Sequence, residues 1–273
     1  MWSVFFFAIF LVSLRQPLDP RHLALILLAI LLSPFLLAPI KIHASSWTNA
    51  NPRFVPTDPE GPDVPPEASD FYRECVADLA PLGFVTVRTY MAPDLVPNAV
   101  GILSLLENRE SGEGAKILTT VAETRGRRKT GLLLAFFTEF TDGTEVGTSN
   151  TLVPRIYPPL GPPIHWFVFP QLREADRLHA AHQALVGRVE SGRLRRAPIG
   201  GDPDGYLNRT ERRFLAHQLA CGYYYLEEAA QLQRPTWKGA ILISWKLLWP
   251  VKPIRREWRR WKAGRMIRAL GLA

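Results

Sequence analysis

Two uncharged apolar runs open the chain, Met1 to Leu14 and Leu23 to Ile40, separated by the polar stretch Arg15-Gln-Pro-Leu-Asp-Pro-Arg-His22. At about 1.5 Å per helical residue the second run is about 27 Å long, close to the hydrocarbon thickness of a bilayer. The first, at about 21 Å, is short for a span and suits a tilted or in-plane helix equally well. A segment with no charge over such a length must find either lipid or a large protein core. The expectation is therefore a membrane anchor over residues 1–42, made of one transmembrane helix or a transmembrane hairpin. A cleaved leader is the competing reading, with Ile42-His43-Ala44 as a weak cleavage site. Such leaders begin with positive charge and carry one apolar stretch, so retention is expected. Pro34 and Pro39 are compatible with a lipid-embedded helix.

The rest of the chain is long enough for one domain with appendages, and 47% hydrophobic with 21% charged residues is ordinary for a chain that buries a core. The net charge of +8 suggests nucleic acid or anionic lipid until it is located. Lys252, Arg255, Arg256, Arg259, Arg260, Lys262, Arg265 and Arg268 stand against Glu257 alone, so +7 of the charge lies between residues 252 and 268. Cys75 and Cys221 form no disulfide framework and have no second Cys or His at metal-ligand spacing.

Between Asn51 and Pro66 there are six prolines and no apolar periodicity, which predicts a stiff linker over residues 43–67. A helix is expected from near Ser69, with Phe71, Cys75, Val76 and Leu79 on one face and Gly83 as its stop. Five strands follow: Phe84 to Tyr90, Ala99 to Glu107, Lys116 to Glu123, Gly131 to Thr141 and Thr144 to Val153, the last two joined at Asp142-Gly143. Their short connections favour an antiparallel five-strand meander. Apolar residues of both parities in Gly131 to Thr141 predict a strand covered on both faces. After a proline-rich crossing at Pro154 to Pro163, a helix from Pro170 to about Val189 should lay Leu172, Ala175, Leu178, His182, Leu185, Val186 and Val189 on the sheet. The fold class is α+β over residues 68–190, an antiparallel meander packed with flanking helices.

Residues 191–250 read as a helical extension. Asn208 is the expected N-cap of a helix to about Gln233, with Gly222 inside it implying close backbone approach. Trp237 to Trp249, thirteen residues, is too short to span and should lie in the membrane interface or pack against the N-terminal helices. Residues 251–273 form a basic amphipathic tail. Ile254, Trp258 and Trp261 share a narrow face, with Arg255, Arg256, Arg259, Arg260 and Lys262 around it. Indole at headgroup level beside cations on anionic lipid is the chemistry of an interfacial helix, so Arg255, Arg256, Trp258, Arg259, Arg260, Trp261 and Lys262 are the candidate lipid-binding set.

Other candidate chemistry is thin. His179 and His182, three apart on one helix face, could share a cation, but a zinc site needs a third or fourth ligand, and His165, His217, Glu174 and Asp176 have no recognisable spacing. A neutral histidine bonded to the sheet is the ordinary outcome at His182. Asp202, Asp204, Asn208 and Glu211 miss the EF-hand spacing and read as a turn with a helix cap. Gly126-Arg-Arg-Lys-Thr-Gly131 fails the phosphate-loop pattern and reads as a charged hairpin tip. No Gly-x-Ser-x-Gly, His-Glu-x-x-His, Ser-x-x-Lys or Gly-x-Gly-x-x-Gly occurs. Thr144 to Asn150 reads as the exposed polar face of a half-buried sheet. Were there a ligand groove, that strand with Glu139 and Tyr157 to Trp166 would line it.

The chain is thus expected to be a membrane-anchored, non-catalytic binding or interaction module without cofactor or metal, its partners the lipid bilayer and a protein or small ligand. The alternatives are a membrane-bound metal-dependent hydrolase using His179 and His182, and nucleic-acid binding through the tail, which the N-terminal anchor disfavours. If both apolar runs span, the domain shares a side with Met1. If only the second does, it lies opposite. Lys41, Arg53 and the tail favour the cytoplasmic side, whose leaflet carries the anionic charge.

Overall fold

The computed structural model describes residues 19–96, 98–124, 126–151, 163–197 and 199–272. The Met1 to Leu14 run and most of the proline-rich crossing lie outside them. The architecture is mixed α+β, a mostly antiparallel sheet with several helices. Helix α1 (Pro20–Ser45) contains the second apolar run, with Asp19 accepting from the Arg21 amide at its start. It is long and apolar enough to cross a membrane.

Short strands β1 (Thr48–Asn49) and β2 (Val55–Pro56) lead to α2 (Pro66–Leu79). Pro66 opens α2, where a missing amide costs nothing, and Gly83 ends the following turn at φ +82, in the left-handed region open to glycine. The meander is β3 (Val85–Val96), β4 (Ala99–Asn108), β5 (Glu113–Thr124), β6 (Arg127–Phe140) and β7 (Glu145–Ser149), each strand antiparallel to the next. β8 (Ile164–Val168) then pairs parallel to β7. α3 (Ala175–Glu190) precedes β9 (Arg195–Arg196), which pairs with the end of β6.

Both faces of β6 are covered, as its two apolar parities require. On one side Leu134, Phe136 and Phe140 meet Cys75 and Leu79 of α2 and Leu178, Ala181, Leu185 and Val186 of α3. On the other, Phe137 joins Tyr90, Leu105, Tyr206 and Leu207. Every residue of the expected apolar face of α3 is buried or packed on the first cluster.

Four expectations are corrected. The proline-rich linker is no free spacer: β1 pairs with the later segment Leu232–Pro235, β2 pairs with β3, and Val64 is buried against Ala68 and Ile102. Proline is tolerated there because β2 is an edge strand, with one side needing no ladder. Residues 191–250 are not simply helical. Helix α4 (Pro203–Ala220) is capped by Asp202, whose carboxylate accepts from the Gly205 amide at 2.8 Å, not by Asn208. It stops at Ala220 because Gly222 turns left-handed at φ +66, and a hairpin follows, β10 (Tyr224–Glu227) and β11 (Leu232–Pro235). Thr144 to Ser149 is buried throughout, because α3 and β8 cover it, so its polar residues are interior rather than exposed. Finally, α3 begins at Ala175 and not at Pro170.

The chain ends in α5 (Trp237–Leu247) and α6 (Val251–Ala269). The last turns of α6 return to the domain, burying Ala263 and Ile267 in the main core.

Candidate functional site

Helix α5 is docked by a close approach. A Cβ on Gly239 would fall 1.9 Å from the Tyr223 carbonyl oxygen, so only glycine lets α5 lie against the hairpin. Thr236 caps the helix, accepting from the Gly239 amide at 3.0 Å. Ala240, Ile243 and Ser244 face inward. The opposite stripe, Trp237, Ile241 and Trp245, is 54% exposed at each position. This stripe flanks α1: His43 stacks on Trp237 at 4.2 Å, and Phe35 meets Trp245 at 5.7 Å. His43 also donates through Nδ1 to the Pro235 carbonyl at 2.8 Å. The order of these contacts makes α5 antiparallel to α1, running back along its apolar run.

Both lysines of α5 turn away from that stripe. Lys238 Nζ donates to the Cys221 carbonyl at 2.8 Å, and Lys246 Nζ lies 4.8 Å from the Tyr223 ring centre. Their charge therefore sits at the domain end while their stems lie along the helix.

On α6, Ile254, Trp258 and Trp261 are 63%, 57% and 56% exposed, and Lys262 and Arg265 stand over the Trp258 and Trp261 rings. Arg256 and Arg260 pair with Glu257 on the exposed helix surface. Arg255 and Arg259 are half-buried, and their charge acts on Lys246 of α5. Gln171 holds the Arg260 carbonyl at 2.7 Å, which marks where α6 meets the domain. Sequence periodicity found the α6 face. It missed the α5 stripe as a surface, although Trp237, Ile241 and Trp245 recur every four residues, because only docking decides which side of an almost wholly apolar helix is left open.

The histidine pair is interior. His179 and His182 are 7% and 0% exposed. His179 Nε2 meets Glu113 Oε2 at 2.7 Å, and His182 Nε2 meets Thr138 Oγ1 at 2.9 Å. Among the described residues no three His, Cys, Asp or Glu side chains gather where they could hold a metal. Burial drives the His182 pKa down to about 3, so the ring is neutral. Burial opposes ionisation of Glu113 as well, but the His179 hydrogen bond, together with Arg195, holds its carboxyl below the usual range. Burial pushes the Cys75 thiol up to about 12, in keeping with a core residue.

A second polar group lies on the opposite face of the sheet, under α4. Glu139 and Glu145 are direct cross-strand neighbours, both near Arg213. The Lys116 ammonium sits 4.8 Å from the Phe137 ring centre and 4.9 Å from that of Tyr206. Burial raises the carboxyl pKa of Glu139, assisted by the charge of Glu145, and burial raises that of Glu211. Trp166, from β8, lies over Gly147, whose missing side chain makes room for the ring, and donates to Ser149 Oγ at 3.2 Å. The Glu139 and Trp166 neighbourhood is thus a packed polar interior; Tyr157 to Pro162 lie outside the described residues. An open hollow of about 600 Å³ lies instead at the hairpin tips, lined by Asn98, Val100, Val121, Glu123, Gly126 and Arg128.

No known protein family, curated protein or solved structure matches this chain. Chemistry on the molecule itself carries the functional argument.

Proposed function

We propose that this chain is a membrane-anchored, non-catalytic α+β binding module. In it α1 crosses the bilayer, the bulk of the chain faces the cytoplasm, and the basic tail rests on anionic lipid. One observation supports it most: the apolar face of α6 stays more than half exposed at Ile254, Trp258 and Trp261, framed by cations, on a helix whose far end is locked into the domain core. A soluble partner-free protein gains nothing by leaving three such side chains in water, whereas headgroups accept both indole and guanidinium. The hairpin-tip hollow, with Glu123 and Arg128 paired across its strands, is the surface offered to a protein or small ligand.

Trypsin tests the tail. In vesicles containing the full chain, cleavage after Arg255 to Lys262 should slow about tenfold when anionic lipid replaces neutral lipid, because each cation near such a surface contributes about 1 kcal/mol. High salt should restore cleavage. Equal cleavage on both lipids refutes the docking, and tighter salt-sensitive retention on RNA or DNA would replace lipid with nucleic acid. A reporter fused to the C-terminus tests the side: activity confined to an external reporter overturns the cytoplasmic placement.

A further inference from the structure

We propose that α5 and the first half of α6 form a helical wedge that enters the same leaflet that α1 crosses, its corner at Leu247 to Pro250 reaching the acyl region of phospholipid. The inference rests on the reading of α1 as membrane-crossing. Three independent features carry it.

First, direction. α5 runs from His43, at the domain end of α1, back along the apolar run to Phe35, so its C-terminal end points where the bilayer must be if α1 spans. Second, surface. Trp237, Ile241 and Trp245, with Trp249 at 70% exposure, leave an open apolar stripe on α5 beside α1, whose own Leu36, Leu37 and Ile40 are exposed to the surroundings as well. The two lysines of α5 reach away from its stripe, Lys238 to the Cys221 carbonyl and Lys246 to the Tyr223 ring, while Lys41 stands near the domain end of α1. Third, depth. α6 meets the domain at Arg260, leaving Val251 to Arg259, about 13 Å of helix, projecting beyond it. A headgroup layer is about 5–8 Å thick, so this length carries the corner through it while Arg255, Arg256 and Arg259 remain level with the phosphates and exposed Lys252, two residues past the corner, reaches back to them along its flexible stem. A lipid leaflet matches that order, apolar tip, indole belt and cation collar; a soluble protein groove has no reason to be continuous with α1.

The test places an environment-sensitive fluorophore on a single cysteine of the full chain in vesicles. Cys221→Ser removes the accessible native thiol, and Cys75, 5% exposed, is too buried to label. Probes go at Trp249→Cys, at Ile241→Cys, which serves if the first variant fails to fold, and at Arg109→Cys, 83% exposed in its side chain, as the aqueous reference. Lipids carrying an acyl-chain nitroxide should quench the wedge probes, and aqueous iodide should quench them at least about threefold less than the reference, as expected for insertion of roughly 5–10 Å. Iodide quenching of the wedge probes equal to the reference, with no nitroxide effect, overturns the wedge. Alkaline carbonate extraction reports α1 separately: release of the chain refutes the span. Nitroxide quenching that is the same on neutral and anionic vesicles supports the wedge even where electrostatic docking of the tail has failed.

Discussion

Acid should loosen this domain from inside its histidine layer, and His182 sets the scale. Its ring is fully buried, touches Thr138 Oγ1 through Nε2 at 2.9 Å, and has no partner for Nδ1. Protonation would bury an imidazolium with one N–H unsatisfied. The folded pKa is accordingly depressed to about 3 against 6.5 for the free side chain. A depressed folded value means that the unfolded chain binds the extra proton between those limits. Stability is then complete above pH 6.5 and falls as pH drops toward 3. Each pH unit within the window costs about 1.4 kcal/mol, so going from pH 7 to pH 5 removes about 2 kcal/mol through this residue alone. Glu113, whose folded pKa is lowered, acts in the same direction but only once pH approaches the unfolded carboxyl value, so stopping at pH 5 keeps the two apart. The assay is urea unfolding of the full chain in a neutral detergent, followed by near-ultraviolet circular dichroism at pH 7 and pH 5. His182→Gln keeps an amide nitrogen for Thr138 and removes the titration. It should lose about 2 kcal/mol less than the parent over the same interval, whatever its stability at pH 7. An equal loss in both proteins would refute the picture of a buried neutral ring.

Gly239→Ala should lower the unfolding midpoint by the equivalent of about 2 kcal/mol or more, because the new methyl meets the Tyr223 backbone carbonyl, which cannot swing aside as a side chain can. Calorimetry checks it, and a midpoint within a degree of the parent would show that α5 is not held this closely. Lys116→Met keeps the apolar stem between Phe137 and Tyr206 but removes the cation that favours ionised Glu211. Its destabilisation, about 1–2 kcal/mol, should be larger at pH 8 than at pH 5, where the carboxyl has less charge to lose; an equal cost at both would detach Lys116 from Glu211.

Much of the architecture was legible because it follows from local pattern. The apolar face of α3, the double-sided β6 and the Trp edge of α6 are all periodicities, and burial in each case follows the arithmetic of 3.6 or 2 residues. The break at residue 221 was also written in the chain. Gly222 after Cys221 is a helix stop, and Tyr223-Tyr-Tyr225 favours a strand, but a leucine stripe spaced for a helix overrode both signals. The start of α4 had its signal too, an Asp followed by Pro at the first helical position.

Sequence alone determined where apolar length and charge lie: a long uncharged run at one end, a cationic Trp-edged helix at the other, and a meander between. These are properties of contiguous residues, and contiguity is what one dimension preserves. Tertiary structure decided what those segments face. It tied the proline-rich stretch onto two sheet edges, buried Thr144 to Ser149, and put His179 on Glu113, sixty-six positions away. It also laid α5 against α1, bringing two apolar segments from opposite ends of the chain side by side. Which side of an apolar helix stays open, and which buried acid meets which base, depends on contacts between residues far apart in the chain, and these form only when the whole chain closes its core.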